Sequence, residues 1–311
     1  MGTTSGREGR RTFPLVPRRR LIGLPFGQVT SRRRGRGSDV IGHRPYERGD
    51  PVTTIDWPAS ARLSATSGTD AFVVRDHAAD EAPRVVLVID RRPAMALYPE
   101  PLPWLAKRDA LREAVVAIAT SAAVAQADLA ALDFGDGEAW WLPPGRRDRR
   151  WLIAEREDGD PPFAAPEDTL ERSLAFLDRR RAQLPSGSFV FVLSDFLAPP
   201  SSESLRRAVG HGWDVVPVVI QDPVWEQSFP AVAGVGVPVS DPRRGEVSLV
   251  RLSRRQADAR RLANISRHEG LVRQFTAFGL HPVAIGTSRP RDIDALFIEW
   301  SSERSGIRRA R

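Results

Sequence analysis

The chain has 311 residues, no cysteine and a formal net charge of +7. The absence of cysteine excludes disulfides, thiolate zinc sites and cysteine nucleophiles, and it fits a reducing compartment. Apolar runs fall well short of the roughly 20 residues that cross a membrane, so the sequence predicts a cytoplasmic protein without membrane insertion.

The positive charge is concentrated at the N-terminus. Residues 1–36 contain ten arginines and one glutamate, so they carry +9 and the rest of the chain carries −2. Like-charge blocks without apolar periodicity cannot bury enough surface to offset chain entropy. We therefore predict a disordered basic arm over 1–36, either a solvated tail or a surface for nucleic acid or another anionic partner. Lys107 is the one lysine of the chain, a bias that we attribute to a GC-rich bacterium.

Residues 37–82 are predicted to form a β-rich segment, and residues 83–300 a larger α/β domain. The aliphatic run Val85–Ile89 is typical of a strand buried on both faces. Further strands are predicted at 129–134, 139–142, 188–193, 213–220 and 280–285, and helices at 104–127, 146–157, 166–181, 201–209, 253–278 and 291–300. This alternation predicts a doubly wound, mostly parallel sheet with helices on both faces. A small β excursion is expected at about 222–252, and residues 301–311 as a flexible tail.

Acidic residues follow two of the buried strands. Asp90 comes directly after Val85–Ile89, and Asp195 follows the strand at 188–193. Ligands of such sheets bind beyond the carboxyl ends of the strands, so this edge is the expected functional edge.

An ordered set of short motifs resembles the bacterial "domain of unknown function 58" family over roughly residues 40–250. The motifs are Gly49-Asp50, Ile55-Asp56-Trp57, Ser60-Ala61-Arg62, Val74-Arg75, the strand into Asp90, Leu193-Ser194-Asp195-Phe196, Asp222-Pro223 with Glu226 and Pro230, and Asp241-Pro242 with Gly245-Glu246. The resemblance implies a von Willebrand factor A-like fold preceded by a β-rich segment. It also implies work with a MoxR-type AAA+ ATPase in assembling or remodelling client proteins.

The resemblance further implies where a metal-ion-dependent adhesion site would lie. Such a site offers oxygen ligands to Mg²⁺ through a D-x-S-x-S motif, a threonine from a second loop and a later aspartate. Here the first motif is Asp90-Arg91-Arg92-Pro93-Ala94, in which Arg92 and Ala94 replace both serines, while Thr169 and Asp195 match the other positions. Unit charges about 4 Å apart interact by roughly 4 kcal/mol at an effective dielectric near 20. An arginine here would repel a dication, so we expect a degenerate site without metal and no other cofactor.

Two arrangements of this degenerate site are consistent with the sequence. In one, the guanidinium of Arg91 or Arg92 takes the place of the metal and pairs with Asp90 and Asp195. In the other, both arginines point to solvent and the site is simply inactive.

A second cluster of family motifs lies before the α/β domain. Its members are Gly49, Asp50, Ile55, Asp56, Trp57, Arg62 and Arg75. They could form a contact surface for the ATPase with Trp57 as the anchor. We favour a structural role instead, in which Asp56 caps a turn and Trp57 fills core beneath Arg62 or Arg75.

Motifs of catalysis are missing from the sequence. It contains no Walker A loop, no G-x-S-x-G elbow and no H-E-x-x-H pair, and its five histidines show no ligand spacing. We therefore predict a non-enzymatic protein-interaction module. The alternative is a nucleic-acid or anionic-surface binder that acts through the basic arm.

Overall fold

The computed structural model describes residues 10–17, 30–34, 40–46, 55–67, 72–80, 83–97, 105–145, 149–240 and 247–309. The chain divides into two compact units, of which the smaller is Arg19–Pro83 and the larger combines Met1–Arg18 with Arg84–Arg311. The predicted motif residues Gly49 and Asp50 lie outside the described residues.

The smaller unit contains an antiparallel sheet and one helix. Its strands are β1 (Thr30–Arg34), β2 (Val40–Pro45) and β3 (Val73–Asp80), with β3 in the centre, and its helix is α1 (Trp57–Ser67). The sequence analysis predicted the β character of this region but not α1. The helix begins with Trp57-Pro58, and proline is tolerated in a first turn because its missing N–H would have no partner there.

The larger unit is built on a six-stranded sheet. Its strands are β4 (Arg84–Ile89), β5 (Asp128–Asp133), β6 (Trp140–Leu142), β7 (Phe189–Ser194), β8 (Asp214–Ile220) and β11 (Val283–Ile285). They are ordered β11-β8-β7-β4-β5-β6, and all neighbours are parallel except β5 and β6. The predicted mostly parallel α/β sheet is confirmed, and its topology is compatible with a von Willebrand factor A-like fold.

Helices cover both faces of this sheet. They are α2 (Lys107–Val124), α3 (Arg150–Asp158), α4 (Thr169–Arg179), α5 (Ser202–Gly210), α6 (Arg254–Ala277) and α7 (Pro290–Arg309). Because successive side chains of a strand point to opposite faces, β4 contributes to two buried clusters. Val85, Leu87 and Ile89 pack with residues of α2 and α7, whereas Val86 and Val88 pack with residues of α4 and α5.

The segment from Asp222 to Arg251, predicted as a β excursion, contains a two-stranded antiparallel sheet of β9 (Gly236–Ser240) and β10 (Val247–Arg251). Helix α6 then begins after a capping box, in which the side chains of Ser253 and Gln256 satisfy each other's backbone N–H groups.

The interpretation of residues 1–36 as a disordered arm is wrong for the described parts of it. Phe13 is buried with 4% of its surface exposed, and Arg10 forms ion pairs with Glu113 and Asp294. Further along, β1 pairs with β3. Residues far away in the sequence thus hold these parts of the N-terminal region in place, although the region has no apolar periodicity of its own. The arginine triplet at 18–20 lies outside the described residues, and the nucleic-acid alternative stays a prediction.

The interpretation of residues 301–311 as a flexible tail is also wrong as far as residue 309. Helix α7 continues to Arg309, and Arg304 is buried with 4% exposure. Its guanidinium donates to both carboxylate oxygens of Asp214 at 2.9 and 3.0 Å. A bidentate pair of this kind fixes the last turns of the helix against the start of β8.

Among the helices of the described residues, none combines the length and the apolar character needed to cross a membrane.

Candidate functional site

The candidate site lies where β4 and β7 end, at the carboxyl edge of the sheet. Because these two strands are parallel neighbours, the residues that follow them meet at the same edge. Asp90 and Asp195 are both completely buried. The backbone N–H of Asp90 donates to the carbonyl of Leu193 at 3.0 Å. The hydrogen bonds between β4 and β7 therefore continue as far as Asp90.

The side chain of Arg92 lies between the two carboxylates. Its Nε and Nη2 donate to Asp90 at 3.0 and 2.6 Å, and Nη2 also donates to Oδ1 of Asp195 at 2.8 Å. Ser194 completes the cluster, since its hydroxyl donates to Asp90 Oδ2 at 2.7 Å and accepts from Arg92 Nη2 at 3.2 Å. Of the two arrangements that the sequence allows, the structure therefore has the paired one, with Arg92 as the arginine.

A second cation, Lys107, lies on the other side of Asp195. Its Nζ donates to Asp195 Oδ2 at 3.1 Å and also to Glu226 Oε1. Lys107 is the first residue of α2, and Glu226 lies in the loop that follows β8. The Glu226 carboxylate also accepts from the backbone N–H of Asp222 at 2.8 Å, which closes a turn within that loop. Asp195 thus links the loops after β4 and β7 through Arg92, and Lys107 extends the network to the loop after β8.

Arg91 points away from this cluster into a separate ionic group. Its Nη2 donates to Glu157 of α3, and its Nε lies 3.8 Å from Asp133 at the end of β5. Arg156 donates to the same Asp133 at 2.9 Å. With 1% exposure, Arg91 is not directed to solvent, and it does not contact Asp90 through any hydrogen bond among the described residues.

The remaining metal-site positions do not supply ligands to this cluster. Ala94 lies in a short 3-10 helix over Pro93–Ala96 and has no oxygen in its side chain. Thr169 is the first residue of α4 and is 1% exposed. Its hydroxyl has no hydrogen-bond partner among the described residues.

Burial and charge pairing act in opposite directions on the ionisation of the cluster. Burial disfavours the charged forms, but Asp90 and Asp195 together raise the pKa of Arg92 above its usual value. Burial likewise opposes ionisation of Asp195, yet Lys107 and Arg92 outweigh it and lower the pKa of that carboxyl. For Glu226 burial prevails over the attraction of Lys107 and its pKa is raised, while Asp195 and Glu226 raise that of Lys107 despite its burial.

The residues present do not fit a divalent cation. A guanidinium and an ammonium already occupy the contacts with Asp90 and Asp195, and both cations are nine-tenths or more buried. Replacing them by Mg²⁺ would require both to move, since each would repel a dication at this range. In the part of the chain that the structure describes, no group of three or more acidic, histidine or cysteine side chains is arranged to hold a metal ion.

The motif residues of the smaller unit form a different cluster. Asp56 is buried and its Oδ1 accepts from the backbone N–H of Ala59 at 3.1 Å, as an N-cap of α1 does. Ile55 forms an isolated bridge with Val74. Arg62 donates to the carbonyl of Pro58 at 3.1 Å. The side chain of Arg75, on β3, is outside the described part of the structure.

The expectation that Trp57 fills core is wrong. Its side chain is 56% exposed and meets the ring of Phe72, itself 45% exposed, edge-on at 6.1 Å between centroids. Trp57 is the first residue of α1, and among the described residues of its unit no second layer of elements covers it.

Lys107 and Glu226 are the site residues that the sequence analysis missed. One feature of the sequence could have pointed to Lys107: it is the single lysine in a chain that otherwise uses arginine. Arginine prefers planar, bidentate contacts, whereas an ammonium is a compact point charge. Glu226 belongs to the family motif with Asp222 and Pro223, but the sequence does not show that it reaches α2.

Comparison with known proteins identifies one family and several remote structures. The model of the family described as "Protein of unknown function DUF58" matches residues 42–269. No curated protein matches the chain significantly. An aerotolerance-related membrane protein from Bacteroides fragilis is 10% identical, with 71% of this chain and 100% of that chain covered and a TM-score of 0.42. BatB from Bacteroides thetaiotaomicron is 12% identical, with 71% and 100% covered and a TM-score of 0.39.

The pilus adhesin SpaC from Lactobacillus rhamnosus GG is 10% identical, with 72% of this chain and 30% of that chain covered and a TM-score of 0.36. The family model, by contrast, spans more than half of the sequence and includes residues 42–83 of the smaller unit and the carboxyl edge of the central sheet. The chain therefore belongs to the DUF58 family of proteins of unknown function.

Proposed function

We propose that this protein is a non-enzymatic interaction module that acts with a MoxR-type AAA+ ATPase through the carboxyl edge of its central sheet, without a metal ion. The observation that carries the proposal is the position of Arg92 between Asp90 and Asp195. A dication in such a site would do two things: it would hold the loops together and offer a coordination position to an acidic residue of the partner. The buried guanidinium performs the first task only.

The same geometry argues against catalysis at this edge. Asp90, Arg92, Lys107 and Asp195 are all nearly inaccessible, and each cation is paired with a carboxylate. A general acid or base must reach the proton that it transfers, within about 3 Å or through one water. The ionic cluster therefore serves to fix the loops above it, and a partner would contact the outer surface of those loops.

The ATPase part of the proposal is supported by the family motifs and not by a contact in the structure. Its test uses the purified MoxR-type ATPase of the same host and the tagged full-length protein, in the presence and absence of ATP. Val224 is 43% exposed on the loop after β8, two residues before Glu226, so Val224→Glu would place a charge on the surface of this loop with little effect on packing.

Trp151 offers a matched control. It is 62% exposed and lies near the start of α3, outside the loops after β7 and β8. We expect wild-type protein and Trp151→Glu to bind the ATPase and Val224→Glu to bind at least tenfold more weakly. Failure of the wild-type protein to bind would refute the ATPase assignment, and equal binding of all three would refute the choice of edge.

A further inference from the structure

Residues 10–17, called the N-terminal segment below, lie across α2 and α7 without helical or strand structure. Phe13 stacks on Phe297 with 4.8 Å between ring centroids and meets Trp300 edge-on at 5.9 Å. Phe13 belongs to the core of the larger unit, although 89 residues lie between the segment and the start of α2.

Two residues of the N-terminal segment are buried three positions apart, and a partly buried arginine lies three positions before the first of them. Phe13 and Val16 are each 4% exposed, and the side chain of Arg10 is 20% exposed. Between these anchors lie the exposed residues Arg11, Thr12 and Pro14, while Leu15 is half-buried. A three-residue period with prolines at 14 and 17 is what a polyproline II ligand presents, because that helix has three residues per turn.

Two of the anchors, Arg10 and Phe13, meet chemically matched parts of the groove. At one end Arg10 donates to the carbonyl of Glu113 at 3.1 Å, pairs with its carboxylate, and lies 3.5 Å from Asp294. In the middle Phe13 enters the aromatic pair described above.

Backbone groups of the segment are bound by side chains of the groove. The N–H of Phe13 donates to the hydroxyl of Ser121 at 3.2 Å. The carbonyl of Val16 accepts from Arg304 Nη1 at 3.0 Å. Side-chain capture of an irregular backbone is how grooves bind peptides, whereas a strand of a sheet would be held by a backbone ladder.

We propose that the groove between α2 and α7 is a peptide-binding site for an irregular, proline-containing segment with a basic, an aromatic and an aliphatic anchor at three-residue intervals, and that residues 10–17 of the same chain occupy it. This site lies on one face of the sheet, so it is separate from the edge assigned to the ATPase. An occupant tethered to its own site has an effective concentration of the order of millimolar. A free segment with the same anchors therefore binds only when the tethered one is weakened.

The test uses full-length proteins and a fluorescein-labelled synthetic peptide of residues 9–18. By fluorescence anisotropy, we expect the peptide to bind the Phe13→Ala protein at least tenfold more tightly than the wild-type protein. The exposed position supplies the control, since Thr12→Ala should behave like wild type. A peptide that itself carries Phe13→Ala should bind none of the proteins.

Two results would overturn the proposal: a folded Phe13→Ala protein that does not bind the peptide, or one that binds a scrambled peptide equally well. If Phe13→Ala does not fold, Arg10→Ala replaces it, because this substitution weakens the docked segment but removes fewer core contacts. The peptide should then bind Arg10→Ala at least tenfold more tightly than the wild-type protein. Light scattering identifies the source of the occupant. A monomeric wild-type protein supports occupation within one chain, and a dimer that dissociates on Phe13→Ala substitution would show that a second copy supplies the segment.

Discussion

Nη2 of Arg92 donates to Oδ1 of Asp195 at 2.8 Å, although 103 residues separate the two in sequence. The same guanidinium is bound to Asp90, two residues earlier in the chain. One side chain therefore joins the ends of β4 and β7 at the position where the metal site implied by family resemblance would lie.

Removal of Arg92 is expected to destabilise the protein strongly. Arg92→Ala leaves Asp90 and Asp195 buried with less compensation, and breaking a buried pair costs about 3–5 kcal/mol. Urea unfolding followed by circular dichroism measures the change. Arg112→Ala is the matched control, since Arg112 pairs with Asp158 at 2.7 Å on the surface with 52% exposure, and exposed pairs contribute about 0–1 kcal/mol. Equal losses in both variants would contradict the assigned role of Arg92.

The two acidic partners of Lys107 should differ in their contribution to stability. Asp195 has a lowered pKa, so the folded protein favours its charged form, whereas the raised pKa of Glu226 shows that burial disfavours its charge. Asp195→Asn should therefore cost about 3–5 kcal/mol at pH 7, and Glu226→Gln clearly less. Unfolding free energies of the two isosteric variants test this order. A larger loss of stability for Glu226→Gln than for Asp195→Asn would contradict it.

Lys107 provides a single spectroscopic reporter for the site, because the chain has no other lysine. Its pKa is raised above the ordinary 10.5. The stability that its charge contributes is therefore fully present below pH 10.5 and is lost as the pH rises through the higher folded-state value. In protein grown with ¹³C-labelled lysine, we expect one side-chain resonance that titrates above pH 10.5. Titration below that value would mean that the ammonium is not paired with Asp195 and Glu226.

The end of α7 should be essential for stability. Arg304→Ala removes a bidentate contact with Asp214 and leaves that carboxylate buried, so a loss of about 3–5 kcal/mol is expected. Ser302, two residues earlier on the same helix and exposed, supplies the control variant Ser302→Ala. Thermal and urea unfolding of both proteins give the comparison. A change below about 1 kcal/mol for Arg304→Ala would restore the interpretation of this region as a tail.

Local patterns were sufficient to predict the sheet and half of the site. Val85–Ile89 is apolar at every position, and only a strand covered on both faces buries such a run, so β4 and the acidic residue after it followed from the sequence alone. The Arg92 arrangement was one of two alternatives, because the sequence shows the charge of an arginine but not the direction of its side chain.

Contacts between distant residues account for what the sequence did not reveal. Lys107 lies 88 residues from Asp195 and 119 from Glu226, and no local periodicity encodes such pairs. Phe13 and Arg304 were misjudged for the same reason, since each is ordered by partners far away in the chain. Trp57 was misjudged because a tryptophan between Ile55 and Pro58 suggests burial, whereas no element in the described part of its unit covers it.

Isothermal titration of the wild-type protein with Mg²⁺ and Mn²⁺ tests the central claim most directly. Arg92→Ser/Ala94→Ser/Lys107→Ala, which restores the D-x-S-x-S pattern and removes both cations, is the positive counterpart, and Ala94→Ser alone is its matched control. We predict that the triple variant gains specific binding while the wild-type protein and Ala94→Ser give only heats of dilution. Stoichiometric micromolar binding to the wild-type protein would contradict the account, because Arg92 and Lys107 could not then occupy the site.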